Sequence, residues 1–231
     1  MSLPTIDIVR ERIEQVPSKQ FRLCLMTAYL YAGRISEVVG QAAPSDYTTA
    51  RGPRGTDAKL DYYLDGDVDE PCVVFTVRTA KREGIVRKVA VPVNFEPWAK
   101  EVYNYFQGFG DRPVFPFTRQ WVGRYVREHG VFEGLTYPIE KYVIVERSGK
   151  LKKIRPVSRH MRPYNLHAIR HSRASELVEF YGFDGFNLAT YGGWTYKTAA
   201  RTSGVMGRYL SLGWQSYFPK LLKQRRRVHA A

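Results

Sequence analysis

Apolar residues recur three and four positions apart from Ile6 to Val16 and again from Lys19 to Ala32, the spacing that places them on one face of a helix. Gly33 closes the second run, and a shorter one follows from Arg34 to Gly40. Residues 41–60 are rich in Pro, Gly and Thr and read as a long loop. Cys72 to Thr79 and Ile85 to Val93 are β-branched runs split by a short polar turn, which predicts a hairpin. Helical spacing returns from Pro97 to Phe106, after Asn94, and from Arg119 to His129, where Thr118 stands as an N-cap. A second, basic hairpin is expected where Tyr142 to Glu146 and Leu151 to Val157 flank Arg147-Ser148-Gly149-Lys150. Asn165 to Tyr181 predicts a long helix closed by Gly182, followed by a short helix from Phe186 to Tyr191, a Gly-rich break and an amphipathic stretch from Trp214 to Arg227. The expected fold class is mainly α with small antiparallel β-hairpins (α+β), in one domain spanning residues 1–231, with 214–231 as a basic C-terminal segment.

With 44% hydrophobic and 14% aromatic residues among 231, the chain can bury a core, and disorder is excluded as its main state. The 36 Lys+Arg against 22 Asp+Glu give a net charge of +14, and its placement is uneven. Residues 1–140 hold 18 basic and 18 acidic side chains; residues 141–231 hold 18 basic ones and only Glu146, Glu176, Glu179 and Asp184 as acids. Such a concentration is the footprint of a surface that meets phosphates, so double-stranded DNA is the expected partner. Membrane binding fits less well, because the basic residues are scattered among Gly, Pro and Tyr and do not line a helix opposite an apolar face. Cys24 and Cys72 sit inside apolar runs as small hydrophobes, with no disulfide framework and no zinc spacing. The longest apolar run, around Leu23 to Ala32, is too short for a bilayer, and the first residues lack the core of a secretion signal, so an intracellular, soluble protein is expected. The acidic stretch Asp65, Asp67, Asp69 and Glu70 lacks calcium-loop spacing and reads as a solvated turn.

Two short segments carry candidate chemistry. Arg34 opens a helix directly after an apolar one that fixes the backbone beneath it, and Glu37 follows one turn on. His167-Ala168-Ile169-Arg170 sets two donors three residues apart on one helix, where both can reach one anion. Further along, Lys81 stands in the turn of the first hairpin, Trp194 ends Tyr191-Gly192-Gly193-Trp194, and Tyr209 lies in Met206-Gly207-Arg208-Tyr209-Leu210.

The ordered set Arg, Lys, His-x-x-Arg, Trp, Tyr resembles the catalytic constellation of tyrosine recombinases, the phage-integrase and Xer-like family, over nearly the whole chain. GRISEVVG is similar to that family's first-arginine motif, TVRTAKREGIVRKVAVPV to its catalytic-lysine hairpin, LHAIRHS to its second-arginine box and MGRYLSL to the box around its nucleophile. The interval of 24 residues from Arg170 to Trp194 is also similar, and Trp is an accepted alternative to His there. The resemblance implies a tyrosine recombinase catalytic-domain-like fold and site-specific DNA recombination or integration, as in viral genome integration, through a 3′-phosphotyrosine. It assigns Arg34 and Arg170 to clamp the phosphate, Lys81 to protonate the leaving oxygen, His167 and Trp194 to donate hydrogen bonds, Tyr209 to attack, and Glu37 to orient the arginine or histidine. No metal or other cofactor is implied, and a homo-oligomer on DNA, a tetramer in recombination, is.

Some features depart from the family pattern. The 15 residues from Trp194 to Tyr209 exceed the usual interval, where Ser203 stands, and TYKTAARTSG reads as an insertion. Tyr196 and Tyr217 are rival nucleophiles, and a register shift in the hairpin would exchange Lys81 with Arg82, Arg78 or Lys88. The N-terminal core-binding domain of the family is missing, since the first-arginine motif begins near residue 33. A type IB topoisomerase is the alternative within the same chemistry, and a noncatalytic DNA-binding module is the alternative outside it.

Overall fold

A computed structural model describes residues 6–39, 52–65, 68–78, 86–147, 151–193 and 213–222. It is a mixed α+β structure built around α2 (Lys19–Leu30), whose Phe21 and every residue from Leu23 to Leu30 are buried. Helix α1 (Ile6–Glu14), α4 (Pro97–Gln107) and α6 (Leu166–Glu179) pack against α2, and the short α3 (Ile35–Val38) follows it. Helix α5 (Arg119–Glu128) adds an aromatic corner in which Phe21 stacks on Phe117 and Tyr125, at 4.5 and 3.8 Å between ring centroids. Thr118 caps α5 as expected, its Oγ1 accepting the Trp121 N–H at 3.1 Å. At α4 the cap position falls to Glu96 and not Asn94, because Pro97 takes the first helical position, where a missing N–H costs nothing.

The first predicted hairpin is a three-stranded antiparallel sheet ordered β1 (Ala58–Asp65), β2 (Val68–Arg78), β3 (Val86–Pro92). The expected loop therefore ends at the short 3₁₀ turn Gly55–Asp57, and a strand begins where loop was anticipated. Strand β1 is an edge of this sheet, and its Leu60, Tyr62 and Leu64 are all exposed. Its register is held by backbone pairing to β2, from Ala58 opposite Phe75 to Asp65 opposite Val68. Of the acidic stretch read as a solvated turn, Glu70 lies in β2 and is buried.

The second hairpin is far longer than the sequence suggests. Strand β4 (Thr136–Arg147) and β5 (Leu151–Pro163) pair along 12 and 13 residues and form a sheet of their own. Mainly α with small hairpins thus understates the β content. Helix α6 starts three residues after this ribbon, with Asn165 as cap, and α7 (Gly185–Gly192) follows, capped by Asp184 and ended by Gly193 in the left-handed region. Of the amphipathic stretch expected from Trp214 to Arg227, the described part is a 3₁₀ turn at Trp214–Ser216 and a helical turn at 218–222, and the remainder lies outside the described residues. Trp214, Tyr217, Phe218, Leu221 and Leu222 are buried there. Lys220, grouped by sequence with the basic tail, is tied into the fold, its Nζ donating to the Gly182 carbonyl at 3.1 Å and to Asp184 Oδ2 at 3.0 Å. Among the described residues no helix is long and apolar enough to cross a membrane.

Candidate phosphate-binding site

The path of the chain between α2 and α3 sets up the site. Helix α2 ends in Tyr31, and Ala32 takes φ +42°, a conformation that costs a residue with a Cβ about 1 kcal/mol or more. At Gly33 the crowding is steric: an added Cβ would stand 3.0 Å from Tyr31 Cβ and 3.2 Å from Glu37 Oε2. This tight reversal delivers Arg34 to the first turn of α3. Glu37 reaches back from one turn on, its Oε2 accepting the Arg34 N–H at 3.1 Å and its Oε1 the Arg34 Nη1 at 3.1 Å.

Glu37 is 2% exposed and gathers two more guanidiniums. Arg87, from β3, donates through Nη2 to Glu37 Oε2 at 3.1 Å, and Arg170, from α6, brings Nη1 to 3.9 Å of the same oxygen. The two also seize neighbouring carbonyls at the end of α7: Arg87 Nη1 donates to Tyr191 O and Arg170 Nη2 to Gly192 O, the latter at 3.0 Å. A helix C-terminus presents unpaired carbonyls and a partial negative charge, so guanidiniums are stable there. Two cations thus fasten the chain just before residue 194.

Charge balance separates this cluster from a second buried network nearby. There Arg10 forms a bidentate pair with Glu96 at 2.8 and 2.9 Å and reaches Glu176 at 3.3 Å. Arg173 meets Glu96 at 3.2 Å and also Glu176, which accepts the Tyr29 hydroxyl at 2.8 Å. Two guanidiniums face two carboxylates, the neutral arrangement of a structural network. Around Glu37, by contrast, three guanidiniums share one carboxylate among the described residues. Burial pushes the Arg170 pKa down to about 10, Glu37 opposes that shift, and Arg34 and Arg87 add smaller pushes in the direction of burial. Burial alone would raise the Glu37 carboxyl, but Arg87, the Arg34 N–H, Arg170 and Arg34 together outweigh it and hold it below its ordinary value. Guanidiniums held this close together repel one another, and an approaching anion relieves that repulsion.

Of the residues singled out in the sequence, Arg34, Glu37 and Arg170 are brought together although 133 residues separate Glu37 from Arg170. His167 lies in the first turn of α6, exposed, its backbone N–H on Asn165 Oδ1 and its ring edge-on to His171 at 4.8 Å. Lys81, Trp194 and Tyr209 lie outside the described residues, as do Tyr196 and Ser203. Lys81 belongs to the connection between β2 and β3, the strand that supplies Arg87. Tyr217 is fully buried, its hydroxyl bound to the backbone of β3, and burial pushes its pKa up. Arg87 was not singled out in the sequence, where it is one of several basic residues in TVRTAKREGIVRKVAVPV. Comparison with protein-family models, with curated proteins and with solved structures found no match.

Proposed function

We propose that the protein is a tyrosine recombinase or integrase that cleaves and rejoins duplex DNA through a covalent 3′-phosphotyrosine. The observation that carries this reading is the convergence of Arg34 and Arg170, from segments far apart in the chain, on the buried carboxylate of Glu37. Guanidinium forks suit the nonbridging oxygens of a phosphodiester, whose charge grows as an oxygen nucleophile attacks. Arg34, 27% exposed, stands at the mouth of the cluster, and Arg170 lies deeper.

The resemblance supplies the other roles. The Tyr209 oxygen attacks phosphorus, losing its proton to solvent or a base, and the bond to the 5′ sugar oxygen breaks. Lys81 gives that oxygen a proton, leaving a 5′-hydroxyl and a protein–DNA phosphodiester. His167 and Trp194 donate hydrogen bonds to the phosphate, and attack by a 5′-hydroxyl reverses every step. Two copies on each recombining site, a tetramer overall, are expected.

A nicked suicide substrate, incubated with wild type and with Tyr209→Phe and resolved on a denaturing gel, tests the reading. A covalent adduct with wild type that vanishes in Tyr209→Phe is expected. No adduct with any of several duplexes would leave a noncatalytic DNA-binding module, and relaxation of supercoils by a monomer without sequence preference would favour a type IB topoisomerase.

A further inference from the structure

The β4–β5 ribbon sorts its charge by face, and the sorting depends on one irregularity in register. Lys141 pairs with Ser158, but the next residue, Tyr142, pairs with Pro156, so Val157 is an extra residue in β5. Pro156 has no N–H for the ladder, and a bulge is where a strand tolerates proline. Because side chains alternate between faces, an extra residue switches the parity of everything beyond it.

With the bulge in place, one face carries the cross-strand pairs Tyr137–Arg162, Ile139–His160, Lys141–Ser158, Val143–Arg155, Val145–Lys153 and Arg147–Leu151. That face holds five Lys and Arg and no acid. The opposite face carries Glu140 paired with Arg159 and Glu146 with Lys152, alongside Pro138–Met161, Tyr142–Pro156 and Ile144–Ile154. Both acids of the ribbon sit directly across from a basic residue, so that face is neutral. Without the bulge, Arg155 and Lys153 would change sides and the partition would be lost.

The ribbon is rooted at the candidate site. Its last residue, Pro163, precedes α6 by three residues, and near its base Asn165 Nδ2 donates to the Tyr137 hydroxyl at 3.4 Å while the Tyr137 ring lies against His171 at 6.4 Å. A strand of 12 residues spans about 40 Å, longer than the roughly 34 Å of one duplex turn, and a two-stranded ribbon is narrow enough for a major groove about 12 Å wide.

We infer that the acid-free face of the β4–β5 ribbon is a DNA-backbone arm that grips the duplex beside the phosphate held at Arg34 and Arg170. It rests on the proposed function only for the identity of the partner. Phosphate neutralisation along the ribbon would supply sequence-independent affinity and a register for the cluster at its root.

Two matched double variants test it, each removing one lysine and one arginine: Lys153→Gln with Arg155→Gln on the acid-free face, and Lys152→Gln with Arg159→Gln on the neutral face. Binding of the full chain to a 30-base-pair duplex (on the order of three turns) is followed by fluorescence anisotropy across a salt series, with thermal melts confirming that each variant folds. The acid-free pair is expected to weaken binding about tenfold or more at 0.1 M salt and to flatten the plot of log affinity against log salt by about 2. The neutral pair should change either quantity little. Equal losses in the two variants, no loss in the first, or a greater loss on phosphatidylserine vesicles than on duplex would overturn the inference. Duplex binding that obeys this pattern without any covalent adduct would sink the recombinase reading and leave the arm standing, whereas an adduct with unchanged salt slopes would do the reverse.

Discussion

The hydroxyl of Tyr217 bridges two peptide groups of Lys88 and Ala90, accepting the Ala90 N–H at 2.9 Å and donating to the Lys88 carbonyl at 3.2 Å. The ring is wholly buried between Tyr191 and Phe183. This phenol therefore locks the C-terminal stretch onto the outer side of β3, the strand that carries Arg87, and it has no access to a DNA phosphate. Tyr217→Phe leaves the Ala90 N–H shut in without its acceptor, so a loss of about 1–3 kcal/mol in unfolding free energy by urea denaturation is expected. Covalent adduct formation by the folded variant should persist; its disappearance would return Tyr217 to the list of nucleophiles.

Glu37 should make stability depend on pH in a way its amide cannot reproduce. Its carboxyl is held below its ordinary 4.5, so its ion pairs stabilise the fold fully above that value and lose their contribution as pH falls through the lower, folded-state value. Glu37→Gln removes the charge that three guanidiniums share and is expected to cost about 3–5 kcal/mol at pH 7. Denaturation at pH 7 and at pH 3 checks the sign: the gap between wild type and Glu37→Gln should narrow in acid. A gap that stays constant would show that the loss does not arise from the ionisation of Glu37.

Arg170 and Arg173, one turn apart on α6, should separate function from stability. Arg173→Met leaves the two buried carboxylates of Glu96 and Glu176 with Arg10 as the one guanidinium between them and should cost about 3–5 kcal/mol in unfolding free energy while leaving DNA affinity of the folded protein unchanged. If the proposed function holds, Arg170→Ala should slow cleavage about 10²–10³-fold and weaken duplex binding far less, because the proposed contact with the phosphate would strengthen in the transition state. Equal losses of cleavage and binding would reduce Arg170 to an ordinary phosphate contact.

Helix positions were legible where one face is buried, as in α4 and α6, since burial writes its period into the sequence, whereas α2 is buried without a break from Leu23 to Leu30. Strand β1 was not legible, although Ala58, Leu60, Tyr62 and Leu64 alternate with Lys59, Asp61 and Asp65: it follows directly on a Pro-, Gly- and Thr-rich loop, and Leu60, Tyr62 and Leu64 are exposed. In the site, Arg34, Glu37 and Arg170 sit in recognisable local motifs. Arg87 has none: only the pairing of β3 with β2, which places it opposite Val77, and the approach of α7 show that it faces Glu37 and not solvent. The same limit hid the partition of the ribbon, where a single unpaired Val157 decides which basic residues share a face. Composition could locate the charge in the last third of the chain; register alone could distribute it.

A ribbon of two strands has no interior strand, so each of β4 and β5 has a ladder edge that its partner does not cover. Edges left unpaired among the described residues are templates on which a second copy can zip, and a charged sequence, proline and a bulge are ordinary means of preventing it. Like-charged ribbons repel through water at low ionic strength, and salt screens that repulsion over distances near 10 Å. On the reading of the ribbon as a DNA arm, the residues that would draw it to a polyanion would also hold free copies apart, and their neutralisation by DNA would lower that barrier to edge pairing.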